Sequence, residues 1–291
     1  MTIPVYYHPK QNCTAAVGYS PSAGKPALVM QDWLKHGLIT ESDVHSFEPL
    51  NREDIVLAHS RRYVDDVLDC VMENGFGNVD PDVAASLPYT TGSFAAAAEH
   101  AVTHGGIAFS LTSGFHHARW DQGGGFCTFN GLMIAAHLLR AQGLAKRILI
   151  IDGDAHHGDG TEDIINRTKA SSWIKHITAR KSYCSVNDFM FETGVKKLAS
   201  DFEQMWDGAP PDLVMYQAGA DAWKNDPLGA GMFTLPQLEK RDASIFRAAK
   251  KYGVPIVVNL AGGYSKDKRG SIEPVLKIHR QTMEVCLKEY T

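Results

Sequence analysis

Two spacings of apolar residues alternate along most of the chain. Short runs rich in branched side chains predict buried strands at 107–111, 147–151, 213–216 and 255–260. Between them lie stretches with helical spacing. The alanine-rich run 94–103 predicts a helix ended by Gly105-Gly106. Asn130 predicts the N-cap of a helix through Leu132, Ile134, Ala135, Leu138 and Leu139 that stops near Gly143. Thr234 and Gln237 have the spacing of a capping box, opening a helix that runs to about Tyr252 and closes at Gly253. Strands separated by helices predict an α/β fold, a mostly parallel central sheet flanked by helices on both faces. No repeat, low-complexity stretch or linker interrupts the alternation, so a single domain over 1–291 is expected. In such sheets the chemistry collects beyond the carboxyl ends of the strands. Polar, glycine-rich segments follow the predicted strands here.

Composition narrows the class only a little. A chain of 291 residues, 44% of them hydrophobic, can bury a sizeable core. A formal net charge of −4 argues against direct nucleic-acid binding, which needs a basic face, and leaves room for a cationic amine or peptide. Five scattered cysteines without a Cys-x-x-Cys pair suit a reduced, cytoplasmic setting. The opening residues lack the pattern of a secretory signal, and no apolar run is long enough for a bilayer, so no membrane partner is expected. Oligomeric state stays open, a homo-oligomer included.

The densest chemistry follows the 147–151 strand. Extending strand alternation past Ile151 would point Asp152, Asp154 and His156 to one side, and two carboxylates with an imidazole suit a divalent metal. A lone Asp-x-His is more often a polar turn; the crowding of acids and imidazoles up to Asp159 reverses that preference. The adjacent His116 and His117 could be ligands, acid–base groups or solvated side chains. Asp221 ends another strand, where a cap or turn is the plain alternative. Gly262 and Gly263 let the backbone approach a ligand before Tyr264. The run Gly123-Gly124-Gly125-Phe126-Cys127 has no dinucleotide or phosphate-loop spacing.

In this order, the segments resemble the histone deacetylase family, which includes bacterial acetylpolyamine and acetoin-utilisation relatives. The matches run from Tyr6-Tyr7-His8-Pro9 through His116-His117, Gly125 to Asn130, Asp152 to Thr161 and Gly219-Ala220-Asp221 to Gly262-Gly263-Tyr264. The resemblance implies an amidohydrolase acting on acylated lysine or small acylated amines. It implies Asp154, His156 and Asp221 as ligands of zinc, with iron(II) as an alternative. It implies catalytic roles for His116 and His117, with Asp152 and Asp159 behind them, and for Tyr264 as donor to the oxyanion. Gly125 and Phe126 would line the substrate channel. Asp152, Asp154, His156 and Thr178 fall where the family holds a structural monovalent cation, usually potassium.

Some positions depart from the family pattern. Gly114-Phe115 replaces Pro-Gly before the histidines, and Ile177-Thr178-Ala179-Arg180 stands where Val-Ser-Leu-His is common. The stretch between Arg180 and Glu192 is short, which predicts a wider channel entrance. Leu228, after Asp226-Pro227, stands where polyamine-selective relatives can place an acid, so acyl-lysine is expected over acetylspermidine. A two-manganese ureohydrolase would need an acid where Gly158 stands, and a non-catalytic acyl-lysine-binding module would be expected to have lost His117 or Tyr264.

Overall fold

Seven strands form one sheet in the computed structural model, which describes residues 2–13, 20–178, 206, 208–229 and 231–291. They are β1 (Val5–Tyr6), β2 (Val44–His45), β3 (Ile107–Ser113), β4 (Ile148–Asp152), β5 (Ile174–Thr178), β6 (Leu213–Gln217) and β7 (Ile256–Ala261). The order across the sheet is β2-β1-β3-β7-β6-β4-β5, and every pairing is parallel. The four predicted strands are the four central ones, β3, β7, β6 and β4.

Eight α-helices among the described residues accompany the sheet: α1 (Lys25–Lys35), α2 (Arg52–Ile55), α3 (Arg61–Leu68), α4 (Pro81–His104), α5 (Gly131–Ala141), α6 (Asp159–Arg167), α7 (Leu235–Lys251) and α8 (Glu273–Tyr290). Strand alternation divides the core between the two faces of the sheet. Leu149, Ile151, Val214, Tyr216, Ile256 and Val258 face one cluster, with Trp33 of α1, Phe246 of α7 and Met283 of α8. Ile148, Ile150, Leu213, Met215 and Val257 face the other, with Tyr63 of α3, Leu132 of α5 and Ile164 of α6. Phe94, Ala97, Ala98 and Ala101 of α4 also join the second cluster, a stripe at the spacing of one helical face. Emptying a site such as Phe94 to alanine costs about 3–5 kcal/mol in a packed core.

Asn130 and Thr234 cap their helices as expected, accepting from Met133 N and Gln237 N. Helix α4 is longer than the predicted 94–103. It begins after Asp80, whose side chain accepts from Asp82 N and Val83 N, and continues through Pro88 and Gly92. Those two residues ordinarily argue against a helix interior. Tertiary contacts outweigh them here. Leu50 N donates to the Pro88 carbonyl, and a Cβ at position 92 would lie 3.0 Å from Glu48 O. The segment carrying Leu50 therefore rests against this part of the helix.

Candidate metal centre

The carboxyl ends of β3, β7, β6 and β4, four neighbours in the sheet, deliver the candidate residues to one place. Strand β4 ends at Asp152, so Asp154 and His156 are not carried on a continuing strand as alternation predicted. A tight turn brings them round instead. Asp152 Oδ1 accepts from Asp154 N at 3.1 Å, Asp154 Oδ1 accepts from His156 N at 3.0 Å, and Gly153 N donates to Gln217 O on β6. Asp221 approaches from beyond β6. His156 Nδ1 lies 3.0 Å from Asp154 Oδ1 and 3.1 Å from Asp221 Oδ2.

Asp154, His156 and Asp221 each offer one ligand atom, and these atoms lie within 4.8 Å of one another. Three surrounding features fit a cation. Asp154 and Asp221 are buried, and their outer oxygens are taken by backbone donors, Gly262 N on Asp154 Oδ2 and Ala155 N on Asp221 Oδ1. A Cβ at Gly262 would overlap Asp221 Oδ2 and sit 2.6 Å from Asp154 Oδ2, so only glycine leaves this wall open. His156 Nε2 lies 3.0 Å from Leu228 O, which orients the ring with Nδ1 toward the two carboxylates. The field is that of a cation site. Burial and then the neighbouring Asp154 raise Asp221 to about 7, while hydrogen bonds to both carboxylates raise His156 to about 11.

The two adjacent histidines follow β3 and differ in surroundings. His116 is buried, with Nδ1 2.6 Å from Asp152 Oδ2. Burial disfavours its charge, but Asp152 and Asp154 outweigh that and raise it to about 9. His117 has Nδ1 2.7 Å from Asp159 Oδ1 and is lowered, first by burial and then by His116. The other Asp159 oxygen accepts from Arg119 Nη2 at 2.5 Å. His117 also lies against His156, with ring centroids 5.7 Å apart.

Tyr264 is buried beyond β7 and packs on Phe126, with ring centroids 5.7 Å apart. Burial and then Asp154 and Asp221 raise its phenol, so it stays protonated. A Cβ at Gly125 would come within 2.5 Å of His117 Cδ2, so the Gly125–Phe126 turn closes directly over that imidazole. Leu228 is 39% exposed at the edge, contributing its side chain to the rim and its carbonyl to His156. Thr178 pairs with Asp152 in the β4–β5 register, and its buried Oγ1 has no hydrogen-bond partner among the described residues. Arg180 and the segment 181–191, on which the expected wide entrance rests, lie outside the described residues.

Four supporting residues carry no sequence signal of their own. Buried Arg241 on α7 donates through Nη1 to Gly153 O and Gly219 O, each beside a ligand turn. Buried Lys25 on α1 donates to Ala261 O at the end of β7. Asp226 accepts from four backbone amides, and Arg119 shares Asp159 with His117. Arg241 falls in the helix predicted from Thr234 and Asp226 in an Asp-Pro pair, and no local pattern singles out Lys25 or Arg119.

Similarity to known proteins extends over most of the chain. A protein-family profile described as Histone deacetylase domain matches residues 22–183 and 186–275. An uncharacterized protein of Picosynechococcus sp. is 27% identical, over 98% of this chain and 100% of that protein. A probable deacetylase of Methanothermobacter thermautotrophicus is 28% identical, over 75% of this chain and 73% of its own length. The chain spans between 46% and 60% of the length of four plant histone deacetylases that it matches. The crystal structure of the HDA15 HD domain superposes with a TM-score of 0.77 at 21% identity, over 98% of this chain and 90% of that one, which is a likeness of fold. With the profile covering most of its length, the chain belongs to the histone deacetylase family.

Proposed function

We propose that this protein is a zinc-dependent amidohydrolase that removes acetyl or other acyl groups from lysine side chains or related amines. The observation that carries the reading is the placement of His117 against His156 while its Nδ1 is held by Asp159, which leaves Nε2 for chemistry. Asp154, His156 and Asp221 would hold the metal, which when bound supplies a Lewis acid that polarises the acyl carbonyl and acidifies water. His117, lowered by its surroundings, takes the water proton at Nε2 and returns one to the departing amine. His116, held charged by Asp152, contributes a fixed positive field beside it. Tyr264 keeps its proton and donates to the carbonyl oxygen as charge develops there. Gly125, Phe126 and Leu228 form the approach, and the apolar edge at Leu228 favours a neutral acyl-lysine stem over a second ammonium. The partnerless Thr178 Oγ1 beside Asp152 supports a structural potassium ion behind the site. Zinc-reconstituted protein assayed against acetyl-lysine peptide, acetylspermidine and simple acyl amides tests the reading; no turnover of any of them would overturn it.

A further inference from the structure

Asp226 has no part in the roles assigned so far, yet it is among the most heavily engaged carboxylates in the molecule. It is buried, 5% exposed. Its Oδ1 accepts from Leu228 N at 3.1 Å and Gly229 N at 3.2 Å. Its Oδ2 accepts from Tyr264 N at 2.8 Å, Ser265 N at 3.0 Å and Ser265 Oγ at 2.9 Å. One oxygen therefore serves its own turn, and the other serves a turn 38 residues away. Each turn presents a group to the reaction centre: the first the Leu228 carbonyl, which touches His156 Nε2, the second Tyr264.

We propose that Asp226 is a positioning residue that fixes the Leu228 turn and the Tyr264 turn to one another, so that the ligand His156 and the hydrogen-bond donor Tyr264 are set as one unit. The second turn needs such a hold. It leaves β7 through Ala261, whose φ of +51° is unfavourable for a residue with a Cβ, and passes through Gly263 at φ +150°. Two anchors act on its near end, Lys25 on Ala261 O and Asp154 on Gly262 N. Asp226 binds the far end, at Tyr264 itself. A buried carboxylate satisfied by five donors is a strong and directional clamp. Asparagine has one accepting oxygen, so Asp226→Asn can serve one turn and must present an NH2 group to the other.

The inference rests on the amidohydrolase reading for the role of Tyr264, and the experiment separates the two. Wild type, Asp226→Asn and Asp226→Ala are compared with the same changes in a Tyr264→Phe background, at saturating zinc, with bound zinc measured on every sample. Backbone hydrogen exchange is followed over 226–229 and 262–266. Asp226→Ala is expected to retain zinc and lower kcat about tenfold or more, with KM changed by less than about threefold. Asp226→Asn falls between it and wild type. In the Tyr264→Phe background either change costs less than about twofold, because the group being positioned is gone. Exchange accelerates in both segments together. Equal losses in the two backgrounds, or faster exchange in 226–229 alone, would overturn the proposal. Should Asp226→Ala fail to fold, Asp226→Asn carries the same comparison. Should wild type hydrolyse no acyl amine, the amidohydrolase reading fails, and the exchange result alone decides whether Asp226 joins the turns.

Discussion

His117 and Asp159 meet at 2.7 Å across the mouth of the site, and the far oxygen of that carboxylate is held by Arg119. The neighbouring pair, His116 with Asp152, is shut away from water, and among the described residues no arginine or lysine pairs with its carboxylate. Two imidazoles adjacent in sequence are thus driven in opposite directions, one raised and one lowered. The lowered one is the candidate base.

His117→Ala and Tyr264→Phe should each reduce turnover about a hundredfold or more while leaving bound zinc unchanged. Steady-state rates and metal analysis on the same preparations check this. A near-wild-type rate in either variant would remove that residue from the mechanism.

Asp221→Ala should bind little or no zinc after dialysis, since it deletes one of three ligands and leaves Asp154 and His156 with no third anchor. Full metal content in this variant would mean the ion sits elsewhere.

Gly262→Ala tests the wall of the centre without touching a ligand. The added methyl overlaps Asp221 Oδ2, so zinc affinity should fall about tenfold or more. Circular dichroism should stay that of the parent, because the change lies past the end of β7. Unchanged affinity would show that the turn can yield.

In competition between an acetyl-lysine peptide and acetylspermidine, the peptide should be consumed first. The edge residue Leu228 offers no negative charge to a distal ammonium. Preferential consumption of acetylspermidine would assign the selectivity to another part of the rim.

Stability should fall in mild acid through His59, which is not one of the candidate metal ligands. Burial lowers this histidine from 6.5 to about 4; its ring lies 2.9 Å from Arg119 O and accepts from Asn130 N at 2.8 Å. It is neutral in the folded state, so between pH 6.5 and 4 the unfolded chain binds the extra proton. Its contribution is complete above pH 6.5 and is lost as pH falls toward 4, amounting to about 3 kcal/mol. Urea unfolding across this range should show a slope shallower by up to about 1.4 kcal/mol per pH unit in His59→Gln than in wild type. Parallel slopes would contradict the assignment.

The sheet centre was readable because β3, β4, β6 and β7 are continuous apolar runs, the pattern of strands covered on both faces. Strands β1 and β2 have two residues each, too few to show a period, and β5 carries the polar Lys175 and His176 among its apolar positions. Helix α4 was half hidden by Pro88 and Gly92, whose acceptance depends on Leu50 and Glu48, remote in sequence. In the centre, the ligand types were legible from the residues, and their convergence only through the family resemblance. Asp154 and His156 meet Asp221 through a turn stitched by Asp152 and Gln217, which alternation does not describe. Asp226 reads locally as the start of an Asp-Pro turn, and nothing nearby announces its bonds to Tyr264 and Ser265.

The order β3-β7-β6-β4 has a consequence for how the molecule matures. Its two histidines, its three candidate ligands and its tyrosine leave four strands that are neighbours in space, while His116 and Tyr264 are separated by just over half the chain. No N-terminal portion that stops before β7 contains the whole centre, because β7 slots between β3 and β6 after all the other described strands have been made. Pairings this distant in sequence close slowly. Newly synthesised protein would therefore complete the centre late, when β7 inserts between β3 and β6 and brings Gly262 and Tyr264 to candidate ligands already made.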